Sequence, residues 1–219
     1  MILMLVRLGI DDLKVVLRDT GNLIQYAAAL FIVPLLVGIW FGEPTFFLGV
    51  YILTGLFSFF LGTAMKVVFK TDQTTDLKHA FMVVALIWIV FTAIAAIPFV
   101  LIMGMTFIDS IFETMSSMTT TGLTMMDLII DSTPNSLIFW RSFISWIGGV
   151  GIIVLSLMGI FTTYTKSSKL MVAEGREELI RPNLKNTAKE IWFVYLFLTM
   201  IGVVILFFAG MDIFNAINY

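Results

Sequence analysis

A short polar segment between two hydrophobic stretches carries the residues best suited to chemistry in this chain. It runs from Glu113 to Thr124 and reads Glu-Thr-Met-Ser-Ser-Met-Thr-Thr-Thr-Gly-Leu-Thr. Irregular backbone lies at membrane depth only where protein or water surrounds it. A threonine-rich turn with one glycine, placed between two apolar spans, is therefore expected to line an ion pathway.

The predicted chemistry of this turn is ion coordination by backbone carbonyls. A selectivity filter replaces the water shell of an ion with carbonyl oxygens. Turning successive carbonyls toward one axis needs a residue that accepts positive φ, as Gly122 does. The neighbouring threonines are stiff, and their hydroxyls can add oxygen ligands or bond within the loop. Hard oxygen ligands suit alkali cations. The alternative is an ordinary outer loop, because Thr and Gly runs also occur there.

A helix is predicted directly before the turn. Thr106 followed by Asp109 fits an N-cap with an acidic residue in the first turn. The helix would end near Met118 and direct the negative end of its dipole at the membrane centre, which stabilises a cation. Its apolar contact surface is predicted at Phe107, Ile108, Ile111, Phe112 and Met115.

Composition places the whole chain in a membrane. Hydrophobic residues make up 59% of the 219 residues and charged residues only 13%, which is typical of a membrane protein. The net charge of -2 gives no reason to expect nucleic acid. The absence of cysteine excludes disulfides and thiolate metal sites. His79, the single histidine, is assigned to a loop. The membrane part has no nucleophile–base pair or phosphate loop, so neither enzyme activity nor a cofactor is expected.

The fold class predicted is an all-α membrane protein with five transmembrane helices, one re-entrant pore helix and a filter loop. Each of five apolar stretches reaches the roughly 20 residues that a spanning helix needs. They are Asn22–Trp40, Phe46–Val68, Ala80–Met103, Ile138–Phe161 and Ile191–Ala209.

Charge placement predicts the orientation. All Lys and Arg residues except Arg141 lie in the N-terminal arm, in residues 66–78 or in residues 166–189. The positive-inside rule puts these three regions in the cytoplasm. The N-terminus is then inside, the C-terminus is outside, and Thr106–Asn135 enters and leaves the membrane from outside. The N-terminus shows no signal-peptide pattern, so the first span is expected to remain in the mature protein.

Arg141 breaks the charge pattern and follows Trp140. One interpretation is an interfacial anchor, since Trp and Arg often lie at that depth. The other is a brace for the pore loop, because an arginine on the unexpected side calls for a specific partner. The partners considered are Asp109, Glu113 and Asp127. Glu113 itself could instead add negative potential at the entry or pair locally.

Glycines recur in the fourth predicted span, at Gly148, Gly149 and Gly151. Small residues in a membrane helix most often let another helix approach closely. Packing is therefore favoured over a hinge, and the pore helix is the expected neighbour.

Four motifs are shared with a known family. They are Phe112–Thr124, Ser136-Leu-Ile-Phe-Trp-Arg141, Trp146-Ile-Gly-Gly-Val-Gly-Ile152 and Arg181-Pro-Asn-Leu-Lys-Asn-Thr-Ala-Lys-Glu190. Together they resemble the Trk/Ktr/HKT superfamily of potassium transporters, above all its bacterial and archaeal Trk translocation subunit. The resemblance extends over most of the chain.

The resemblance implies an N-terminal helix pair followed by potassium-channel-like helix–pore loop–helix repeats around one ion path. Residues 1–78 would be the arm and helix pair, 79–165 the first repeat, 166–190 a cytoplasmic linker and 191–219 the start of a second repeat. The implied filter backbone is Thr119, Thr120, Thr121, Gly122 and Leu123. Potassium would bind at Thr120, Thr121 and Gly122.

The resemblance also implies a function and partners. The chain would be the pore-forming subunit of a potassium uptake system in the plasma membrane, in contact with lipid. A homodimer and a cytosolic nucleotide-binding regulatory subunit would be expected. The chain stops at Tyr219, where a second pore helix should begin at Phe214–Asn218, so it is expected to be the N-terminal portion of such a subunit. The alternative is a non-conducting remnant or a split-gene module that needs a downstream partner chain.

Overall fold

The computed structural model of the chain describes residues 9–126, 133–151 and 184–219, and these residues form helices and turns without a β-strand. This confirms the all-α prediction for the part described. The helices are α1 (Ile10–Ala27), α2 (Ile32–Trp40), α3 (Thr45–Val68), α4 (Leu77–Ala95), α5 (Ile97–Met103), α6 (Phe107–Met118), α7 (residues 135–151), α8 (Leu184–Phe208) and α9 (Ile213–Asn218). The chain divides into two compact units, residues 1–116 with 122–141 and residues 117–121 with 142–219.

Four segments of the described part are long and apolar enough to cross a membrane: Ile10–Trp40, Thr45–Val68, Lys78–Met103 and Lys189–Phe208. They correspond to four of the five predicted spans. The remaining prediction, Ile138–Phe161, is helical as far as residue 151, and its other residues lie outside the described part. Residues 184–190 of the predicted linker already form the first turns of α8.

The first span contains a break that the sequence explains. A 3₁₀ turn at Ala28–Phe31 separates α1 from α2, and Pro34 follows three residues later. Proline lacks an N–H and its ring crowds the carbonyl four residues earlier, here that of Leu30. Tightening the preceding turn to 3₁₀ geometry relieves that conflict without interrupting the helical path.

A second break, between α4 and α5, positions the helix that follows the predicted filter. Near Pro98 the N–H of Phe99 bonds to the carbonyl of Ala96 at 3.0 Å. The carbonyl of Ala95 instead accepts from the indole N–H of Trp140 at 3.1 Å. Trp140 is fully buried, and its ring centroid lies 4.6 Å from that of Phe31. Trp140 is thus a core residue of this unit rather than an interfacial anchor.

His79 was assigned to a loop, and that prediction is wrong. It lies in the first turn of α4 and is fully buried. Its Nδ1 accepts from the N–H of Asp76 at 3.0 Å, and its Nε2 lies 2.7 Å from Oδ1 of Asp12 on α1. The helix starts earlier than its apolar pattern because this imidazole satisfies a backbone donor at the helix end.

Candidate ion-conduction site

Helix α6 is too short to cross a membrane. Its 12 residues span about 18 Å at the rise of an α-helix, against a hydrocarbon thickness of roughly 30 Å. Its N-terminus is capped as predicted, with the N–H of Asp109 donating to Oγ1 of Thr106 at 3.2 Å. α6 is therefore not one of the candidate membrane spans, although it lies in sequence directly after one of them, Lys78–Met103.

The buried and exposed sides of α6 reverse the pattern of a soluble amphipathic helix. All but one of its buried residues are polar, namely Ser110, Glu113, Thr114, Ser116 and Ser117; the exception is Met118 at the end of the helix. The apolar residues predicted as contact surface at Phe107, Ile108 and Phe112 are exposed, Ile108 by 78%. This helix therefore presents apolar groups outward and packs its hydrogen-bonding groups within the fold.

The turn after α6 contains two left-handed residues. Gly122 has φ +81, the backbone freedom expected of it from sequence, and Thr120 has φ +55. Positive φ is a real outlier for a β-branched residue, so Thr120 is held in a strained conformation. The hydroxyls of Thr119 and Thr121 bond to each other at 2.7 Å. This is the second of the two roles considered for these hydroxyls; the first, ion ligation, stays a prediction.

The backbone carbonyl of Leu123, one of the predicted filter ligands, already takes part in a hydrogen bond within the protein. It accepts a hydrogen bond from the hydroxyl of Ser116 at 2.6 Å. One lone pair of that carbonyl is thus directed at α6, because a carbonyl oxygen carries two. The following residues are exposed through Met125, and Met126 is buried.

Glu113 is the centre of the bonding around this loop. The carboxylate is fully buried. It accepts from Arg141 Nε, from the hydroxyl of Thr124 at 2.9 Å and from the N–H of Met125 at 2.6 Å. Of the three acids considered as partners for Arg141, Glu113 is therefore a partner in the structure; Asp127 lies outside the described residues. The pair ties α7 to the segment that follows Gly122.

The predicted packing glycines on α7 lie at close approaches. A Cβ on Gly148 would lie 1.9 Å from the carbonyl oxygen of Met118, the last residue of α6. A Cβ on Gly149 would lie 2.8 Å from the hydroxyl of Tyr195 on α8. Gly151 is helical. Backbones at this separation leave no room for a side chain.

Two residues that bond near the predicted filter were missed from sequence. Ser116 bonds the carbonyl of Leu123, and Thr124 bonds both oxygens of Glu113. The only available signal was that both lie in the same polar run as the predicted filter. In the part of the chain that the structure describes, no group of three or more His, Asp or Glu residues could hold a metal ion.

The last helix repeats the way α6 begins. Gly104 ends α5 with φ +69, and Gly210 follows α8 with φ +98. In both places a methionine and a capping residue come next, Thr106 before α6 and Asp212 before α9. Asp212 accepts from the N–H of Phe214 at 3.0 Å. A helix is thus present where the start of a second pore helix was predicted.

Comparison with known proteins identifies the family. Residues 49–217 match the TrkH family of cation transport proteins. The chain belongs to the TrkH family. Among its relatives, an uncharacterized cation transporter of Methanocaldococcus jannaschii is 34% identical over 97% of this chain and 44% of the relative. The Trk system potassium uptake protein TrkH of Escherichia coli K12 is 35% identical over 65% of this chain and 30% of the relative.

The fold agrees with that of a solved TrkH-family structure. The crystal structure of the potassium transporter TrkH from Vibrio parahaemolyticus has a TM-score of 0.75 and 26% identity, and the match covers 94% of this chain and 42% of that one. The chain therefore spans less than half the length of the TrkH-family proteins it matches. It is a helical membrane protein of a cation transporter family.

Proposed function

We propose that this chain supplies the helix pair and the first pore loop of a potassium-selective pathway. The observation that carries the proposal is the turn after α6, where Thr120 and Gly122 both adopt left-handed backbone. Such alternation lets neighbouring carbonyls face one axis, as ion coordination without water requires. The names of the relatives, which include potassium uptake proteins, support potassium as the transported ion.

Within this proposal Thr119–Leu123 form one quarter of the filter. Potassium binds at the carbonyls of Thr120, Thr121 and Gly122. The carbonyl of Leu123, already bonded by Ser116, contributes its second lone pair at the edge of the site. Glu113 and Arg141 act as supports of the loop, and Gly148 and Gly149 permit the close packing behind it. Transport is passive permeation, with no covalent step.

The membrane arrangement proposed has the N-terminus in the cytoplasm and α6 entering from outside. It rests on the asymmetry of Lys and Arg and on the length of α6. Cysteine at Lys70 should react with an impermeant thiol reagent only after permeabilisation, whereas cysteine at Pro44 should react in intact cells. Labelling of the Lys70 position from outside would reverse the topology.

The proposed setting is the plasma membrane, in a homodimeric Trk-type system with a cytosolic nucleotide-binding regulatory subunit. The basis is that several relatives are membrane proteins of a Trk system. Co-purification of the chain with such a subunit is the direct test of that partnership.

Potassium uptake tests the function itself. The chain is co-expressed with the C-terminal part of its M. jannaschii relative that the chain does not cover; we call this combination the supplemented pore. It should restore growth of a potassium-uptake-deficient strain at low potassium and should prefer potassium over sodium. Failure to restore growth, with both parts present in the membrane, would count against the proposal.

A further inference from the structure

Glu43 lies in the turn between α2 and α3, and its backbone is held firmly. At the end of α2 the N–H of Gly42 bonds to Ile39 O at 3.1 Å, and the N–H of Glu43 bonds to Gly38 O at 2.9 Å. Gly42 has φ +64, which lets the chain reverse at this point. The carboxylate of Glu43 therefore projects from a fixed position.

That carboxylate binds the first turn of α7. The N–H of Ser136 donates to one oxygen of Glu43 at 2.8 Å, and its hydroxyl donates to the other at 2.5 Å. The hydroxyl of Tyr51 on α3 donates to the same Ser136 oxygen at 3.1 Å. Ser136 and Tyr51 are both fully buried. The contact joins residues 93 positions apart in sequence.

The local sequence of α7 cannot supply this cap. The residue before the helix is Pro134, whose side chain has no acceptor. Its carbonyl accepts from the N–H of Leu137 at 3.0 Å. The N–H of Ser136 is one of the first-turn donors without a partner inside the helix. A carboxylate is the favoured acceptor there, because the N-terminal end of a helix carries partial positive charge.

Gly38 on α2 makes room for the contact. A Cβ at this position would lie 3.2 Å from the Glu43 carboxylate and 3.5 Å from Cβ of Ser136. The helix pair is thus shaped around the start of α7.

The same helix carries the brace of the filter segment. Ser136 and Trp140 are four residues apart and lie on one face of α7, the face bonded to the helix pair and packed on Phe31. Arg141 comes one residue later and reaches Glu113. Glu113 in turn accepts from the N–H of Met125.

We propose that Glu43 is a positioning residue for ion selectivity. By capping α7 it fixes the axial position of that helix. Arg141 then holds Glu113, and Glu113 holds Thr124 and Met125 directly after the filter glycine. This inference rests on the proposed function of Gly122 as a filter residue. It gives the N-terminal helix pair a task in selectivity beyond anchoring.

The test compares Glu43→Ala and Glu43→Gln with Asp109→Asn. Asp109 is a carboxylate on the same predicted side of the membrane, and it bonds to Thr106 at the start of α6. Its substitution removes the same charge and leaves the cap of α7 in place. Two quantities are measured: the potassium-over-sodium uptake ratio of the supplemented pore, and amide hydrogen exchange at Ser136 and Met125 in the 219-residue chain. Glu43→Gln preserves the side-chain volume and therefore replaces Glu43→Ala in the test if the alanine variant folds poorly.

We expect both Glu43 variants to lower the uptake ratio at least about fivefold and to speed exchange at both amides about tenfold, as loss of a hydrogen bond to a charged group implies. Asp109→Asn should change neither. An equal fall in Asp109→Asn would mean that surface charge alone matters, and an unchanged ratio in Glu43→Ala would also overturn the inference. If the wild-type supplemented pore takes up no potassium, the proposed function fails. In that case, hydrogen exchange at the Met125 amide in the Glu43 variants tests the positioning role by itself. A cap that acted only on α7 would leave exchange at Met125 unchanged and would overturn the inference.

Discussion

Gly148 lies against the carbonyl of Met118 so closely that a Cβ on the glycine would be 1.9 Å from the oxygen. The end of α6 is thus packed on the backbone of α7. The neighbour that must yield is main chain, and main chain cannot change rotamer to accommodate an added methyl group.

Gly148→Ala should therefore destabilise the protein by about 3 kcal/mol, the upper range for overpacking a core. The measurement is thermal unfolding in detergent. Gly202→Ala is the matched control, since Gly202 lies inside α8 and nothing is within 4 Å of its Cβ position. That control should be neutral or stabilising, because alanine is the better helix former. Equal effects of the two substitutions would contradict the close contact.

Much of the fold could be predicted because its signals are local. Apolar run length marked the spans, and the need for positive φ marked Gly122. The first helix was predicted only from Asn22, yet α1 begins at Ile10. The early turns of α1 contain charged residues, so they lack the apolar run that marks a membrane span. Asp12 is nevertheless buried, and it pairs with His79 and Lys78 of α4.

Partners distant in sequence could not be assigned in this way. Arg141 had three acids as candidates, and sequence spacing does not distinguish among them. Glu113 is its partner in the structure, and the same carboxylate also accepts from the N–H of Met125. The cap on Ser136 from Glu43 was not anticipated at all. The sequence signal is Pro134, which has no side-chain acceptor for the N–H of Ser136. This signal is informative only once the start of α7 is known.

Glu113→Gln should loosen the segment proposed as the filter and leave the charge of Arg141 without the Glu113 carboxylate. The amide group of glutamine would direct N–H donors at the Thr124 hydroxyl and the Met125 N–H, which are donors themselves. Part of the hydrogen bonding from these two residues is therefore lost. Loss of a buried hydrogen-bonded charge costs about 3 kcal/mol or more. Unfolding of Glu113→Gln, Arg141→Gln and the double variant measures the coupling. The double variant should be less destabilised than the sum of the single variants, and strict additivity would argue against a direct pair.

Thr120→Gly should stabilise the fold and weaken selectivity. The φ of +55 costs a threonine about 1–2 kcal/mol relative to glycine, and that strain disappears in the variant. The loop also loses a stiff β-branched residue, so its carbonyls are held less firmly. Unfolding temperature and the potassium-over-sodium uptake ratio are measured together. Thr121→Gly, at a neighbouring position without positive φ, serves as the control and should not raise the unfolding temperature. If Thr120→Gly and Thr121→Gly both raised the unfolding temperature, Thr120 would not be strained.

Gly122→Ser should reduce potassium selectivity of the supplemented pore about fivefold or more, because serine at φ +81 is strained by about 1 kcal/mol or more. Nothing lies within 4 Å of the Cβ position, so the effect comes from the backbone and not from a clash. Gly210→Ser imposes similar strain at φ +98 in open space and serves as the control. The prediction concerns relative uptake of potassium and sodium. If both variants retain the wild-type ratio, Gly122 is not a filter residue.

The 219 residues expressed alone should not conduct potassium. A dehydrated ion needs a complete ring of carbonyls, and this chain offers one Thr-Thr-Thr-Gly turn. Gly122 and Leu123 lie at an exposed surface, where no second loop faces them in the described part of the chain. An ion with missing ligands would be poorly solvated in a low-dielectric site. Four copies could rebuild a ring, but the proposed function places unlike repeats around one pathway. The measurement is growth of a potassium-uptake-deficient strain at low potassium. The chain alone should give no growth, and the supplemented pore should give growth that Gly122→Asp abolishes. Growth with the chain alone, lost on Gly122→Asp, would instead establish a pore made of identical subunits.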